Sequence, residues 1–159
     1  MLLGVGLIAA TGVSLAMLPH RETAMPPPPA VALSAEPAQV AVIDGASLRL
    51  RDQVVLLQGV EAPPRDTTCG PHDGLSEDCA AAATNALAAL VRDAPVACRI
   101  TGADSLGRPY AICLARGNEL NRAVVAAGWA RTSEGGPDMQ QAEELARTRR
   151  LGVWASGNR

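Results

Sequence analysis

Two of the four cysteines restrict the fold of this chain more than any other feature. Val96–Ile100 and Tyr110–Leu114 are short β-rich runs flanking the turn-forming stretch Gly102-Ala-Asp-Ser-Leu-Gly107. Folding that hairpin about its middle sets Cys98 opposite Cys113. Facing cross-strand residues lie about 4.5–5.5 Å apart at Cα, within disulfide reach. The other pair, Cys69 and Cys79, would close a small loop ahead of a helix. An even cysteine count suggests two disulfides and an oxidising compartment such as the periplasm. The rival for the second pair is a zinc site of Cys69, His72 and Cys79, which lacks a clear fourth ligand and the usual paired spacing.

The N-terminal quarter agrees with export. Leu2–Leu18 carries no charge and is followed by Pro19, His20 and Arg21. No polar face interrupts the run, which favours an export signal or membrane anchor over a buried core helix. No Lys or Arg precedes it, and small residues at Ser14, Ala16, Ala32 and Ser34 leave both cleavage and retention open. Pro19–Gln39 is rich in Pro, Ala and Glu, with consecutive prolines at Pro26–Pro29. That composition favours an extended polyproline spacer. The expected organisation is therefore a signal or anchor at 1–18, a linker at 19–39 and one domain at 40–159. The expected location is periplasmic or otherwise extracytoplasmic, anchored or secreted after cleavage.

Composition argues against an ordinary nucleic-acid module. The 14 basic residues, all arginine, are outnumbered by 16 acidic ones. Neutralising phosphates needs a concentrated basic excess. Tyr110, Trp129 and Trp154 are the whole aromatic complement, a thin supply for stacking bases.

Within the domain, Val40–Ile43, Ser47–Arg51 and Val54–Gly59 read as strands separated by turns such as Asp44-Gly45. Ser76 is placed to cap a helix with Glu77 and Asp78 in its first turn, and Leu87, Leu90 and Val91 at helical spacing. The cysteine hairpin follows. A second helix starts at Asn118, with Leu120, Val124 and Ala127 inward, and closes at Gly128. Pro137 opens a last helix with Met139, Ala142, Leu145 and Ala146 on one side. Three strands, a helix, two strands and two helices describe an α+β fold: a five-stranded OB-type β-barrel with three helices.

Five stretches stand out in order: Val42-Ile-Asp-Gly-Ala-Ser47, Leu56-Leu-Gln-Gly-Val-Glu-Ala-Pro-Pro64, Leu106-Gly-Arg-Pro-Tyr-Ala111, Asn118–Ala130 and Leu151-Gly-Val-Trp154. Together they resemble the staphylococcal (thermonuclease-type) nuclease family. The likeness runs from Val40 to Trp154 in matching order. It implies an OB-fold barrel and, in active members, Ca²⁺-dependent cleavage of phosphodiester bonds in DNA and RNA. The residues such chemistry needs are depleted here. Ala46 stands where the family carries a metal-binding carboxylate, Leu56 where an arginine grips the scissile phosphate, and Pro64 where a glutamate activates water. Glu61 and Arg108 remain at the second carboxylate and second arginine, and these two are expected to pair with each other. The family's stacking tyrosine is Leu106, and its aromatic-rich stretch is Arg131-Thr-Ser-Glu-Gly-Gly136. Trp129 and Trp154 read as core anchors.

The expectation is a catalytically degenerate domain serving as an extracytoplasmic, membrane-tethered binding or assembly module. Its expected partner is a protein, within reach of a membrane complex, rather than nucleic acid, and no confident catalytic or metal residue remains. No cofactor is expected. The alternative is a residual metal-dependent nuclease using Glu61 and Arg108, with Asp44 or Asp66 as a substitute acid, and only that reading needs Ca²⁺.

Overall fold

The computed structural model describes residues 32–69 and 77–155. The expected anchor Leu2–Leu18 and most of the expected linker lie outside these residues, as do His72 and Ser76. In chain order the strands and helices are β1 (Ala32–Ala35), β2 (Val40–Asp44), β3 (Ser47–Leu50), β4 (Gln53–Leu57), β5 (Val60–Glu61), β6 (Thr68–Cys69), β7 (Glu77–Asp78), α1 (Cys79–Val91), β8 (Val96–Ala103), β9 (Pro109–Ala115), β10 (Asn118–Glu119), α2 (Leu120–Ala126), β11 (Arg131–Thr132) and α3 (Pro137–Thr148).

The main sheet runs β1-β8-β9-β4-β3-β2, with β10 added to β9. All its pairs are antiparallel except β4 with β9. The expected barrel is thus corrected to an open path, because β1 and β2 are not bonded to each other. Yet only residues 36–39 separate these two outermost strands, a connection reaching no more than about 18 Å. The sheet must curl strongly to satisfy it. Closure stops at the short 3-10 turn Pro37–Gln39, where the backbone follows no strand path and Pro37 has no N–H to give. The architecture is an OB-type α+β fold with three helices. The linker boundary also moves. Ala32–Ala35 reads as spacer by composition but pairs with Arg99–Val96, burying Ala35. Tertiary pairing overrides local composition there.

The β8–β9 hairpin has the expected register, with Cys98 opposite Cys113. Both pairs of cysteines are disulfide-bonded: Cys98 to Cys113 at 4.0 Å between Cα atoms, and Cys69 to Cys79 at 5.4 Å. Alternation along β9 turns Ala111, Cys113 and Ala115 inward and leaves Tyr110 and Leu114 exposed. The core joins Leu48, Leu50, Val55 and Leu57 of the sheet to Leu87 of α1 and Leu120, Val124 and Val125 of α2.

Helix α1 begins two residues later than a cap at Ser76 predicts. Its cap is Asp78, whose carboxylate accepts the N–H groups of Ala80 and Ala81 at 2.9 and 3.1 Å. The alanine run that follows lets α1 press on the β2–β3 turn. A Cβ at Gly45 would lie 2.7 Å from the Ala83 Cβ, so only glycine fits that contact. On α3, Met139, Ala142 and Ala146 are buried as expected, whereas Leu145 is 46% exposed. Trp154 anchors a second cluster with Cys69, Cys79, Ala146 and Val153, and Trp129 packs on it half-buried.

Among the described residues two polar side chains are buried, Ser47 and Asn121. Asn121 is 1% exposed, accepts the Cys113 N–H at 3.0 Å, and donates to the carbonyls of Gln58 and Ala111 at 3.0 and 2.9 Å. Replacement by alanine leaves the buried Cys113 N–H without its partner and takes one bond each from the Ala111 carbonyl, which keeps the Gln58 N–H, and the part-buried Gln58 carbonyl. Asn121→Ala should therefore cost about 2–4 kcal/mol of unfolding free energy, measured by denaturant titration of the oxidised protein.

Candidate functional site

The positions singled out in the sequence gather where β2, β3, β4 and β5 meet. Asp44 accepts the Ala46 N–H at 2.8 Å, the side-chain turn that reverses the chain into β3. The Ala46 carbonyl accepts the Leu57 N–H at 2.8 Å, so Ala46 sits against Leu57, the residue after Leu56 on the neighbouring strand. Leu56 faces Ser47 on one side and Tyr110 on the other. Gly59 (φ +72°) then turns the chain into β5, which pairs with β11 so that Glu61 stands opposite Arg131.

After Glu61 comes the wall Ala62-Pro63-Pro64, which borders two clefts. One, of about 490 Å³, opens beside Asp44, Gly45, Arg65, Asp78 and Thr84. The other, of about 370 Å³, holds Glu61, Arg131, Thr67, Thr68 and Cys79. Both are large enough for a small ligand. Asp44 and Glu61, the acids considered together in the sequence, thus line different clefts. Asp66 sits in an exposed turn at φ +67° and lines neither. Among the described residues no three His, Cys, Asp or Glu side chains come together in a way that could hold a metal ion.

Arg108 does not pair with Glu61, and that expectation is corrected. Its guanidinium is bound by Asp104, with both Nε and NH2 at 2.7 Å from Oδ2. The other Asp104 oxygen accepts the N–H groups of Leu106 and Arg108 at 3.0 and 2.8 Å. The turn Asp104–Arg108 therefore closes on itself, and its arginine is held by the nearest acid, four residues back. Arg108 remains 49% exposed and Leu106 77% exposed at the tip.

The arginine that faces Glu61 across the strands is one the sequence did not single out. Arg131 lines the smaller cleft, and its guanidinium lies 4.6 Å from the Trp154 ring centroid. Arg147 lies 4.5 Å from the same ring and pairs with Glu143 and Glu144 at 3.4 and 3.6 Å. Two signals were available in the sequence. Asp104 precedes Arg108 by four residues within a turn, and Arg131 follows the Gly128-Trp-Ala130 stretch that was already marked.

Comparison with known proteins adds two findings. The family described as staphylococcal nuclease homologue matches residues 54–156, well over half of the chain. The succinoglycan biosynthesis protein ExoI of Rhizobium meliloti (strain 1021) is 30% identical over 127 residues, covering 76% of this chain and 66% of that relative. The chain spans just under two thirds of the relative's length.

The Asp104 turn gives a pH-dependent expectation. Desolvation pushes this carboxyl up, but the hydrogen bonds from Arg108 and Leu106 and the Arg108 charge outweigh it, so its pKa lies below the ordinary 3.8. A depressed acid contributes stability that is present above its unfolded value and is lost as pH falls through its folded one. Asp104→Asn should lower the thermal midpoint at pH 7, and the gap to wild type should narrow once the pH drops below 3.8. Calorimetry of both proteins across that range checks it. A gap that persists in acid would mean that Asp104 acts by shape alone.

Proposed function

The chain belongs to the staphylococcal nuclease homologue family, and on that footing we propose that its domain is a degenerate member that binds or assembles with a protein partner outside the cytoplasm. The observation that carries the reading is the joint substitution at Ala46, Leu56 and Pro64. In-line attack on a phosphodiester needs a held cation, a clamped phosphate and an activated water. Here those positions offer a methyl group, an isobutyl group and a pyrrolidine ring. The donor set does not fit Ca²⁺, a hard ion that takes 6–8 oxygen ligands. Among the described residues Glu61 is the one carboxylate lining its cleft, and Asp44 lines the other. Arg108 is already satisfied by Asp104.

Two further observations support the location and the class. Both cysteine pairs are oxidised, which suits an exported protein. The relative is named for a biosynthetic process rather than for cleavage of nucleic acid. Among the described residues no helix is long and apolar enough to cross a membrane, so the tether in this reading is Leu2–Leu18.

Purified protein should show no Ca²⁺-dependent hydrolysis of single-stranded DNA or RNA above background. A lost phosphate clamp and a lost general base each cost orders of magnitude in rate. Affinity isolation from solubilised membranes should instead yield a protein in fixed stoichiometry. Metal-dependent turnover that disappears in Glu61→Ala would replace this reading with that of a residual nuclease.

A further inference from the structure

Whole-chain counts hide a local excess of positive charge. Leu145–Arg159 holds four arginines and no acid, whereas the rest of the chain holds ten arginines against sixteen acids. The basic run begins in the last turn of α3. Arg147 pairs with Glu143 and Glu144. Arg149 and Arg150 are exposed, and among the described residues neither has an acid within salt-bridge distance. Arg131 adds a further cation beside Arg147, since both guanidinium groups lie on the Trp154 ring. The helix dipole favours a cation at this end, but it does not account for the apolar residues that stand among the arginines. Leu145 and Leu151 are 46% and 37% exposed.

Backbone bonds hold these residues together. The Arg149 N–H donates to the Leu145 carbonyl at 3.0 Å, so the two residues are one helical turn apart on the same face. Two further bonds close the helix, from the Arg150 N–H to the Arg147 carbonyl and from the Leu151 N–H to the Ala146 carbonyl, each at 3.0 Å. This is the helix stop whose left-handed residue is usually glycine. Here that residue is Arg150, at φ +54°. The last bond brings Leu151 back to Ala146, the residue after Leu145. Two exposed leucines and two arginines without acid partners therefore share one end of α3.

We propose that the C-terminal end of α3 docks on an anionic bilayer, with Arg149 and Arg150 against lipid phosphates and Leu145 and Leu151 entering the boundary of the acyl region. Arginines draw the helix end to a negative lipid surface, and aliphatic side chains gain there by leaving water. A nucleic-acid backbone would answer the arginines and leave the leucines wet. The acidic remainder of the chain is repelled by the same surface, so the charge asymmetry sets one orientation of the domain. This inference rests on the charge and exposure of one helix end, not on the loss of catalysis, and the two fail separately.

The test uses the full chain with lipid nanodiscs in excess and dansylalanine in place of Leu145. Discs of phosphatidylcholine with about a third phosphatidylglycerol should shift the dansyl emission to the blue, and discs of phosphatidylcholine alone should not. Salt at about 1 M, which cuts the screening length to about 3 Å, should reverse the shift. Arg149→Gln and Arg150→Gly should each lower the docked-to-free ratio about fivefold. Arg150→Gly should at the same time raise the thermal midpoint, because glycine suits the left-handed position, so its lost docking does not come from misfolding. Recovery of the chain with the discs reports the N-terminal tether, and the emission reports the helix end. Equal shifts on both lipids, a shift that survives both substitutions, an equal shift with single-stranded DNA in place of discs, or no shift in protein with both disulfides intact would each overturn the proposal.

Discussion

One carboxamide holds the site in place. Asn121 reaches from the first turn of α2 to β9 on one side and to Gln58, just past the end of β4, on the other. Gln58 leads directly through Gly59 to Val60 and Glu61, so the start of the cleft wall is positioned from inside the core. The amide is fully used: its oxygen takes one backbone donor and its nitrogen serves two backbone acceptors. A leucine of similar size would fill the space but leave the buried Cys113 N–H without a partner and remove the link to Gln58. Such a network specifies one arrangement of α2 against the sheet, because a shift of either element breaks bonds that water cannot replace.

Legibility divides along the same line. The cysteine hairpin was readable because period-2 alternation and a Gly-bounded turn fix its register locally. The helix ends at Gly128 and Pro137 were readable from backbone chemistry confined to one or two residues. What escaped was long-range. Ala32–Ala35 looks like linker until β8 is laid beside it. The partner of Arg108 was misassigned because chain distance favours Asp104 over Glu61, and the resemblance drew attention to the old pocket instead. Asn121 carries no local mark: it is an ordinary polar residue in a helical pattern until Cys113 and Gln58 arrive from 8 and 63 residues away. At the candidate site, the positions Ala46, Leu56, Glu61 and Pro64 were legible from motifs, but the division between two clefts was not.

That division has a physical cause. Pro63 and Pro64 fix two consecutive φ angles and remove two N–H donors from the cleft borders. Neither proline can offer a backbone donor to an anion, and neither can relax toward one. The charge opposite Glu61 comes from Arg131, whose guanidinium also lies over Trp154. Arg131 therefore serves both the cleft and the indole, which it shares with Arg147, and the second hydrophobic cluster with its disulfide adjoins the site.

The Cys98–Cys113 bond also keeps a record. In a hairpin mispaired by one residue, the two sulfurs emerge on opposite faces, and mispaired by two they share a face but stand a diagonal apart. Only the native alignment brings them together at the middle of the ladder. Oxidation thus discriminates between alignments, since the inward residues of β9 beside Cys113, Ala111 and Ala115, are too small to fix the register by shape. Once the bond forms, every later contact inherits that alignment, from the outward tyrosine to the inward carbonyl that Asn121 binds. The molecule carries a covalent proof that its longest hairpin was paired correctly.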